Sequence, residues 1–220
     1  MGRVLSLIPG PVRRLAVLGA HCDDVAIGAG GTLLDLCRRM PGVRVEALVL
    51  TGGGTGREAE ERAALGKFCP GAELNVRVLE LPDGWVTGHW AAAKEAVEDL
   101  RAVIDPDLVI GPAKCDAHAD HRTLAGIVPS AFRDHLTLGY EIVKWEGDLG
   151  QPSAYYPLTG DLVREKSDLL HEHYPSQAAK PWFDGETFLG LARVRGVQCR
   201  ARYAEAFYVD KVVIGAPPRD

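Results

Sequence analysis

The chain has 220 residues, of which 46% are hydrophobic, and its formal net charge is −5. This length and apolar content predict one globular domain, over residues 1–220, with a sizeable core. The mild acidity argues against a nucleic-acid partner. No apolar run is typical of a secretory signal or a membrane span, and the five scattered cysteines form no CxxC pair. These features favour a reduced, cytoplasmic chain without a membrane partner.

Apolar runs alternate with helical patterns along the chain. In chain order, the predicted strands are "RLAVLGA", "VRVEALVLT", "LNVRVLEL" and "DLVIGP". The predicted helices are residues 30–40, "REAEERAALGKF", "HWAAAKEAVEDLRAVI" and "HRTLAGIVPSAFRDH", the last of them interrupted at Pro129. This alternation predicts a Rossmann-like, three-layer α/β fold with a mostly parallel sheet flanked by helices.

The pattern changes after the fourth predicted strand. Residues 139–161 are rich in glycine, proline and aromatic side chains, which predicts an active-site loop region rather than a linker. The tail then returns to a helix, "DLVREKSDLLHEHY", and a strand, "RYAEAFYVDKVVIG". Because that last strand reads as an exposed edge, pairing into a homo-oligomer is one expectation.

Polar side chains cluster where predicted strands end. Two of these clusters contain histidines and carboxylates, and a third is a glycine-rich loop. They are His21, Asp23 and Asp24 after the first strand, Thr51 with "GGGTGR" after the second, and His118, Asp120 and His121 after the fourth. If the first and fourth strands are neighbours at the point where the strand order reverses, the first and third clusters meet across one crevice.

Two histidines, one carboxylate and a water are the donors of an open, tetrahedral zinc site. His21, Asp24 and His121 fit this set, with another divalent metal as the alternative. Asp23 would then face the open position and take a proton from the water. His118 is expected to donate to a developing oxyanion or a leaving amine, and Asp120 to fix the tautomer of one of the histidines.

Each cluster also has a purely structural interpretation. Two aspartates after a strand are common as a helix N-cap and first-turn acid, and two histidines can share an exposed helix face. The glycines at 28–31 and 52–56 do not match G-x-G-x-x-G, which argues against a dinucleotide-dependent oxidoreductase. Arg57, behind the second glycine loop, is either a contact for a substrate hydroxyl or phosphate or part of a plain turn.

Several segments resemble a known family, the PIG-L/LmbE-like N-deacetylases. "AHCDDVAIGAGGTL" is similar to the family's A-H-P-D-D-E-x-x-G-x-G-G-T signature, and "HADH" resembles its later H-P-D-H element. The weaker marks "REAEERAALG", "HYPSQ" and "YAEAF" follow in the family order. The sequence departs from the signature at Cys22, Val25 and Ala119, which are not ligand positions.

The resemblance implies a zinc-dependent hydrolase that removes an acyl group, usually acetyl, from an amino sugar or a related small-molecule conjugate. By position, His21, Asp24 and His121 match the metal ligands, and Asp23 matches the general base. His118 and Asp120 match the residue that stabilises the oxyanion and its carboxylate partner. A catalytically silent metal- or sugar-binding module on the same fold is the alternative.

Substrate contacts are predicted less directly. Flat aromatic faces suit sugar rings, and long polar side chains suit their hydroxyls. The candidate substrate-binding residues are Arg57, Lys144, Trp145 and Tyr155. The expected partner is a small N-acylated molecule, with no nucleic acid and no membrane.

Overall fold

The computed structural model describes residues 11–213, which form seven strands, six α-helices and two short 3₁₀ helices. The strands are β1 (Arg14–Gly19), β2 (Arg44–Thr51), β3 (Glu73–Leu81), β4 (Leu108–Pro112), β5 (Thr137–Tyr140), β6 (Ala154–Leu158) and β7 (Tyr203–Tyr208). The helices are α1 (Asp24–Arg39), α2 (Gly56–Phe68), α3 (Trp90–Val103), α4 (Ala119–Ala131), α5 (Gly160–His173) and α6 (Gly185–Gln198). The 3₁₀ helices are Val86–His89 and Pro175–Gln177. The first ten residues and the end of the predicted last strand, from residue 214 on, lie outside the described residues.

The strands form one sheet with the order β3-β2-β1-β4-β5-β7-β6. Neighbours from β3 to β5 pair in parallel, whereas β7 pairs antiparallel with both β5 and β6. Helices α1, α2, α5 and α6 contribute to the core on one face, and α3 and α4 to the core on the other. The predicted three-layer α/β fold is confirmed. Because the order reverses between β1 and β4, the carboxyl ends of these strands open onto a crevice.

Helix α1 begins at Asp24, whereas the sequence pattern predicted a start at residue 30. Its first turns are rich in alanine and glycine, so they show little apolar periodicity although they are buried. A Cβ atom at Gly28 would collide with the Tyr140 ring, and one at Gly30 would lie 2.7 Å from the Phe68 ring. Small residues therefore let α1 approach these two aromatic rings closely.

Three other expectations about secondary structure are wrong. Pro129 does not interrupt α4, because it lies in the last turn of that helix. Proline has no N–H, so the helix loses only the one hydrogen bond that this residue would donate to an earlier carbonyl. Residues 139–161 are not one loop, since β5 ends at Tyr140 and β6 forms within the segment. Strand β7 is not an edge, because it is paired on both sides. Strand β7 therefore offers no free edge for pairing between copies, and the predicted tail from residue 214 on lies outside the described residues.

A buried ion pair joins the last strand to the middle of α1. Lys166 Nζ of α5 lies 2.6 Å from Glu205 Oε1 of β7 and donates to the carbonyl oxygen of Ile27 at 2.5 Å. The same carboxylate accepts from the backbone N–H groups of Gly31 and Thr32 at 2.8 and 2.6 Å. Both charged side chains are buried, so the pair satisfies polar backbone groups that no water reaches.

Substitution of Glu205 with alanine is expected to lower the free energy of unfolding by about 3–5 kcal/mol. The reason is that the Lys166 charge and two backbone N–H groups would remain buried without an acceptor. Urea unfolding followed by circular dichroism measures the change. The control is Glu165→Ala, which removes the exposed pair between Arg38 of α1 and Glu165 of α5 and is expected to cost less than about 1 kcal/mol. Equal losses in the two variants would contradict the prediction.

Within residues 11–213, no helix is both long enough and apolar enough to cross a bilayer.

Candidate active site

The crevice between β1 and β4 brings together the two histidine-containing clusters. His21, Asp23 and Asp24 lie in the turn between β1 and α1, and His118 and His121 lie at the start of α4, which follows β4. Because β1 and β4 are paired in parallel, both turns lie at the same edge of the sheet. All five side chains line one cleft.

Three donor atoms in this cleft form a small triangle. His21 Nδ1 lies 3.1 Å from His121 Nε2 and 3.5 Å from Asp24 Oδ2, and His121 Nε2 lies 3.2 Å from Asp24 Oδ2. Bonds of zinc to nitrogen and oxygen donors in a tetrahedral site place neighbouring donors about 3.3 Å apart. The triangle therefore has the size that one small divalent cation requires.

The second nitrogen of each histidine in the triangle contacts a carboxylate. His121 Nδ1 lies 2.8 Å from Asp116 Oδ2, and His21 Nε2 lies 3.2 Å from Asp120 Oδ2 and 3.1 Å from Asp83 Oδ1. These carboxylates accept the ring N–H and leave the opposite nitrogen with a free lone pair directed at the triangle. Such carboxylate–histidine pairs orient metal ligands in proteins.

Other donor groups overlap with the triangle. Ring nitrogens of His21, His118 and His121 lie within 4.8 Å of one another, as do donor atoms of His21, Asp83 and Asp120. The Asp120 carboxylate accepts from the N–H groups of Gly84 and Val86 at 2.7 and 3.0 Å, and Asp120 is not among the residues that line the cleft, whereas Asp24 is. All three residues of the triangle with Asp24 line the cleft, with donor–donor distances of 3.1–3.5 Å, and we base the metal interpretation on it.

The charges of the triangle depend on one another. Burial raises the pKa of Asp24, but His121 and His21 outweigh it and hold that pKa well below its ordinary value. Burial lowers the pKa of His21, yet Asp24 and other carboxylates raise it to about 12. The pKa of His121 is raised to about 9, since Asp24 and Asp116 outweigh burial. The carboxylates thus favour positive charge at the donor atoms, which a divalent cation also supplies.

Asp23 is buried beside the triangle and has an unusual backbone. Its φ angle is 114°, in the left-handed region that few residues other than glycine adopt. Burial and the neighbouring Asp24 raise the pKa of Asp23 to about 7 against the opposing charge of Arg57. Arg57 Nη2 lies 3.2 Å from Asp23 Oδ2, so this arginine contacts the candidate base directly.

His118 and Asp120 are arranged differently from the expectation. The Asp120 carboxylate contacts His21, whereas only its backbone N–H reaches His118 Nδ1, at 3.3 Å. The implied carboxylate partnership with His118 is therefore wrong, because the buried Asp120 carboxylate contacts His21 and the N–H groups of Gly84 and Val86 instead. Burial and the charges of His121 and His21 lower the pKa of His118, so nearby carboxylates do not keep it protonated.

Three of the four predicted substrate-binding residues lie on the cleft, and one does not. Arg57, Lys144 and Trp145 line it. Lys144 Nζ is held at 2.9 Å from both Asp116 and Asp148, whereas Trp145 is 69% exposed. Tyr155 lies on β6, the outermost strand, where its hydroxyl donates to the carbonyl oxygen of Pro152 at 2.9 Å. The prediction for Tyr155 is wrong, because β6 is three places from β4 in the sheet.

Cys22, which replaces a proline of the family signature, is a buried thiol. It donates to the carbonyl oxygen of Thr51 at 3.4 Å, and burial raises its pKa. Gly52 has a φ of 94°, and a Cβ atom there would lie 2.7 Å from the Cys22 sulfur. The thiol therefore packs against the turn after β2, consistent with an inert role.

Sequence reasoning missed three carboxylates that contact the cluster residues. Asp116 and Asp83 contact His121 and His21, and Glu61 of α2 accepts from the backbone N–H of Asp23 at 2.9 Å. The only available signals were the position of Asp116 inside "CDAHADH" and of Glu61 inside "REAEERAALG". Asp83 lies in the ordinary turn "LPDGW", which carries no such signal.

Replacement of Asp116 with asparagine is expected to weaken metal affinity by about 10- to 100-fold. The amide retains the shape but not the charge that orients His121. Zinc affinity measured by competition with a chromogenic chelator tests this. Asp148→Asn is the matched control, because Asp148 contacts the same lysine but not a histidine of the triangle. An unchanged affinity in Asp116→Asn would contradict the role of Asp116.

Comparisons with solved structures support the fold. N,N'-diacetylchitobiose deacetylase from Pyrococcus horikoshii is 20% identical, with a TM-score of 0.70 over 90% of this chain and 84% of that chain. The conserved protein TT1542 from Thermus thermophilus is 22% identical, with a TM-score of 0.74 over 94% and 98%. GalB, the 4-carboxy-2-hydroxymuconate hydratase from Pseudomonas putida, is 14% identical, with a TM-score of 0.70 over 94% and 100%.

The family match covers both histidine-containing clusters. The model of the family described as PIG-L, GlcNAc-PI de-N-acetylase, matches residues 16–132, which is more than half of the 220-residue chain. This range runs from β1 to just beyond α4 and includes every residue of the triangle. The chain therefore belongs to the PIG-L family of de-N-acetylases.

Proposed function

We propose that the protein is a zinc-dependent hydrolase that removes an N-acetyl group from an amino sugar or a related small-molecule conjugate. The observation that carries this proposal is the triangle of His21, Asp24 and His121, with Asp23 and His118 beside it in the same cleft. Family membership supports the reaction class. The fold does not, because a hydratase shares it.

His21, Asp24 and His121 would hold the metal, with zinc as the first choice for two imidazoles and one carboxylate. When bound, the metal polarises the acyl oxygen and lowers the pKa of a coordinated water. The orientation of the histidines supports this assignment, because each presents one ring nitrogen to the triangle and the other to a carboxylate. The two backbone N–H groups of Ala20 and His21 hold Asp24 Oδ2 at 2.9 and 2.8 Å.

Asp23 is the proposed general base. Its carboxylate lines the cleft next to Asp24 and is fixed by Arg57, so it is placed to accept a proton from the attacking water. A base is most effective when its pKa is near the working pH, and the raised pKa of Asp23 is consistent with that requirement.

His118 is the proposed oxyanion stabiliser. Its Nδ1 accepts from the N–H of Asp120, so the proton of a neutral ring is on Nε2. This N–H is available to the carbonyl oxygen as negative charge develops on it. The amide C–N bond then breaks as the leaving amine takes from Asp23 the proton that this carboxylate accepted from the water; His118 would supply it instead only from its doubly protonated form.

The substrate side of the cleft combines charge with an aromatic surface. Arg57, in the first turn of α2, and Trp145, between β5 and β6, both line it, and Lys180 and Trp182 add a second pair. Lys180 Nζ lies 5.3 Å from the centre of the Trp182 ring. We propose that these groups contact the sugar and its substituent, with Trp145 as an open stacking surface.

The proposal is tested by incubating the zinc-loaded protein with a panel of N-acetyl amino sugars and their conjugates. We expect release of acetate and a free amine from at least one of them, with loss of release after chelation and recovery with zinc. A protein that binds stoichiometric zinc but releases no amine from any N-acyl compound would favour the silent binding module. Protein without metal affinity would contradict the zinc site itself.

A further inference from the structure

The backbone of Asp23 is held in a strained conformation. Its φ of 114° and ψ of −27° place a residue other than glycine in a strained region that persists only when the surroundings enforce it. Adjacent residues of a regular helix or strand direct their side chains apart. The left-handed residue is what allows both Asp23 and Asp24 to line the same cleft.

One buried side chain contacts this strained residue through its backbone. Glu61 is fully buried, and its Oε2 accepts from the N–H of Asp23 at 2.9 Å and from the Tyr174 hydroxyl at 2.7 Å. Its other oxygen, Oε1, is buried without a hydrogen-bond partner within the described residues. A buried carboxyl oxygen without a hydrogen-bond partner lowers the stability of the fold. A purely structural contact does not explain why the fold keeps such an oxygen.

We propose that Glu61 is a positioning residue: it holds the backbone of Asp23 in the left-handed conformation, and Tyr174 fixes the Glu61 carboxyl for that task. The inference rests on the proposed role of Asp23 as the general base. Glu61 is neither a corner of the donor triangle nor one of the residues that line the cleft. It acts through the turn that carries the base.

The competing explanation is that Glu61 merely joins α2 to the segment after α5. A neighbouring residue provides the control for it. Glu60, also in α2, binds Ser176 of the 3₁₀ helix Pro175–Gln177, with its Oε2 2.5 Å from the hydroxyl oxygen and its Oε1 3.1 Å from the backbone nitrogen. It thus joins the same two segments at the surface without contact to Asp23.

The experiment compares Glu61→Leu, Glu61→Gln, Tyr174→Phe and Glu60→Leu. Burial raises the pKa of Glu61 to about 8, so a neutral amide that still accepts from Asp23 is a close substitute. For each variant we would measure zinc content, kcat and KM, and the hydrogen-exchange protection of the Asp23 amide by NMR. The exchange measurement needs no substrate.

We expect Glu61→Leu to keep stoichiometric zinc and its KM, while kcat falls about 100-fold, as a misplacement near 1 Å produces, and Asp23 protection falls at least about tenfold. Glu61→Gln should recover most of both, and Glu60→Leu should match the unmodified protein. If Glu61→Leu does not fold, Tyr174→Phe should still raise exchange at Asp23 and lower kcat with KM unchanged.

Unchanged Asp23 protection and kcat in Glu61→Leu, or in Tyr174→Phe where Glu61→Leu does not fold, would overturn the proposal. So would equal damage in Glu60→Leu. A failure of the proposed function gives a different result, because the unmodified protein would then release no amine at all. The hydrogen-exchange protection of the Asp23 amide would still show whether Glu61 holds the turn.

Discussion

Replacement of His121 with alanine is expected to remove both bound zinc and amide hydrolysis. His121 supplies one corner of a donor triangle whose other corners lie 3.1 and 3.2 Å away, and two remaining protein ligands hold zinc far more weakly than three. Elemental analysis of the purified protein, beside an amine-release assay, gives both results. We expect near-stoichiometric zinc in the unmodified protein and less than about a tenth of that in the variant.

A suitable control is His135→Ala, which removes an imidazole of the same chain whose Nε2 lies 3.0 Å from Asp105, outside the cleft. It should retain zinc and turnover. Retention of zinc by His121→Ala would mean that the metal binds elsewhere, for example at the donors of His21, Asp83 and Asp120. The interpretation of the triangle would then be wrong.

Substitution of Asp23 with asparagine should separate catalysis from metal binding. Asparagine tolerates a positive φ better than alanine, so the variant keeps the turn that carries Asp24. It cannot accept a proton from water, and we expect kcat to fall by about 100- to 10,000-fold. Zinc content and thermal stability should change little, because Asp23 is not a corner of the triangle.

The corresponding control is Asp24→Asn, which leaves Asp23 in place but removes a charged donor. It should lose zinc together with turnover, the opposite pattern. Near-normal turnover in Asp23→Asn would show that another group takes the proton, and the assignment of Asp23 as the base would be abandoned.

Much of this site was predictable because it follows from strand order. His21, Asp24 and His121 come directly after two strands, and parallel neighbours at the reversal of strand order necessarily bring their carboxyl ends together. Residue type then favours a metal that accepts imidazole and carboxylate ligands. The same logic cannot identify Asp83 or Glu61, since a turn and an amphipathic helix have polar residues whether or not these contact a site.

The sequence pattern did not predict helix α6 or strand β6, because neither has the apolar periodicity that marks a helix or a strand. Apolar residues of α6 include Phe188 and Ala192, which are buried, and Val194 and Val197, which are exposed, so no single apolar stripe marks this helix. Strand β6 has two tyrosines and a proline, which are typical of loops as well as of edge strands. Tyr155 was assigned to the substrate for this reason, although pairing with β7 places it far from the cleft.

Family membership and fold similarity differ in what they indicate about the reaction. The match over residues 16–132 includes the donor triangle, so it bears on the reaction. The hydratase GalB has a similar fold, so fold similarity alone leaves the reaction open. Of the proposed substrate contacts, Arg57 lies within the matched range, whereas Lys144, Trp145, Lys180 and Trp182 lie beyond it.

The bond between Glu205 and the N–H groups of Gly31 and Thr32 joins residues 174 and 173 positions apart. During synthesis from the N-terminus, α1 leaves the ribosome long before β7 exists, and its central amides lack this acceptor until then. Helix α1 begins with Asp24, so the turn that carries the donor triangle's carboxylate leads into an incompletely hydrogen-bonded helix for most of translation. Full hydrogen bonding in the middle of α1 therefore depends on one of the last segments to be translated.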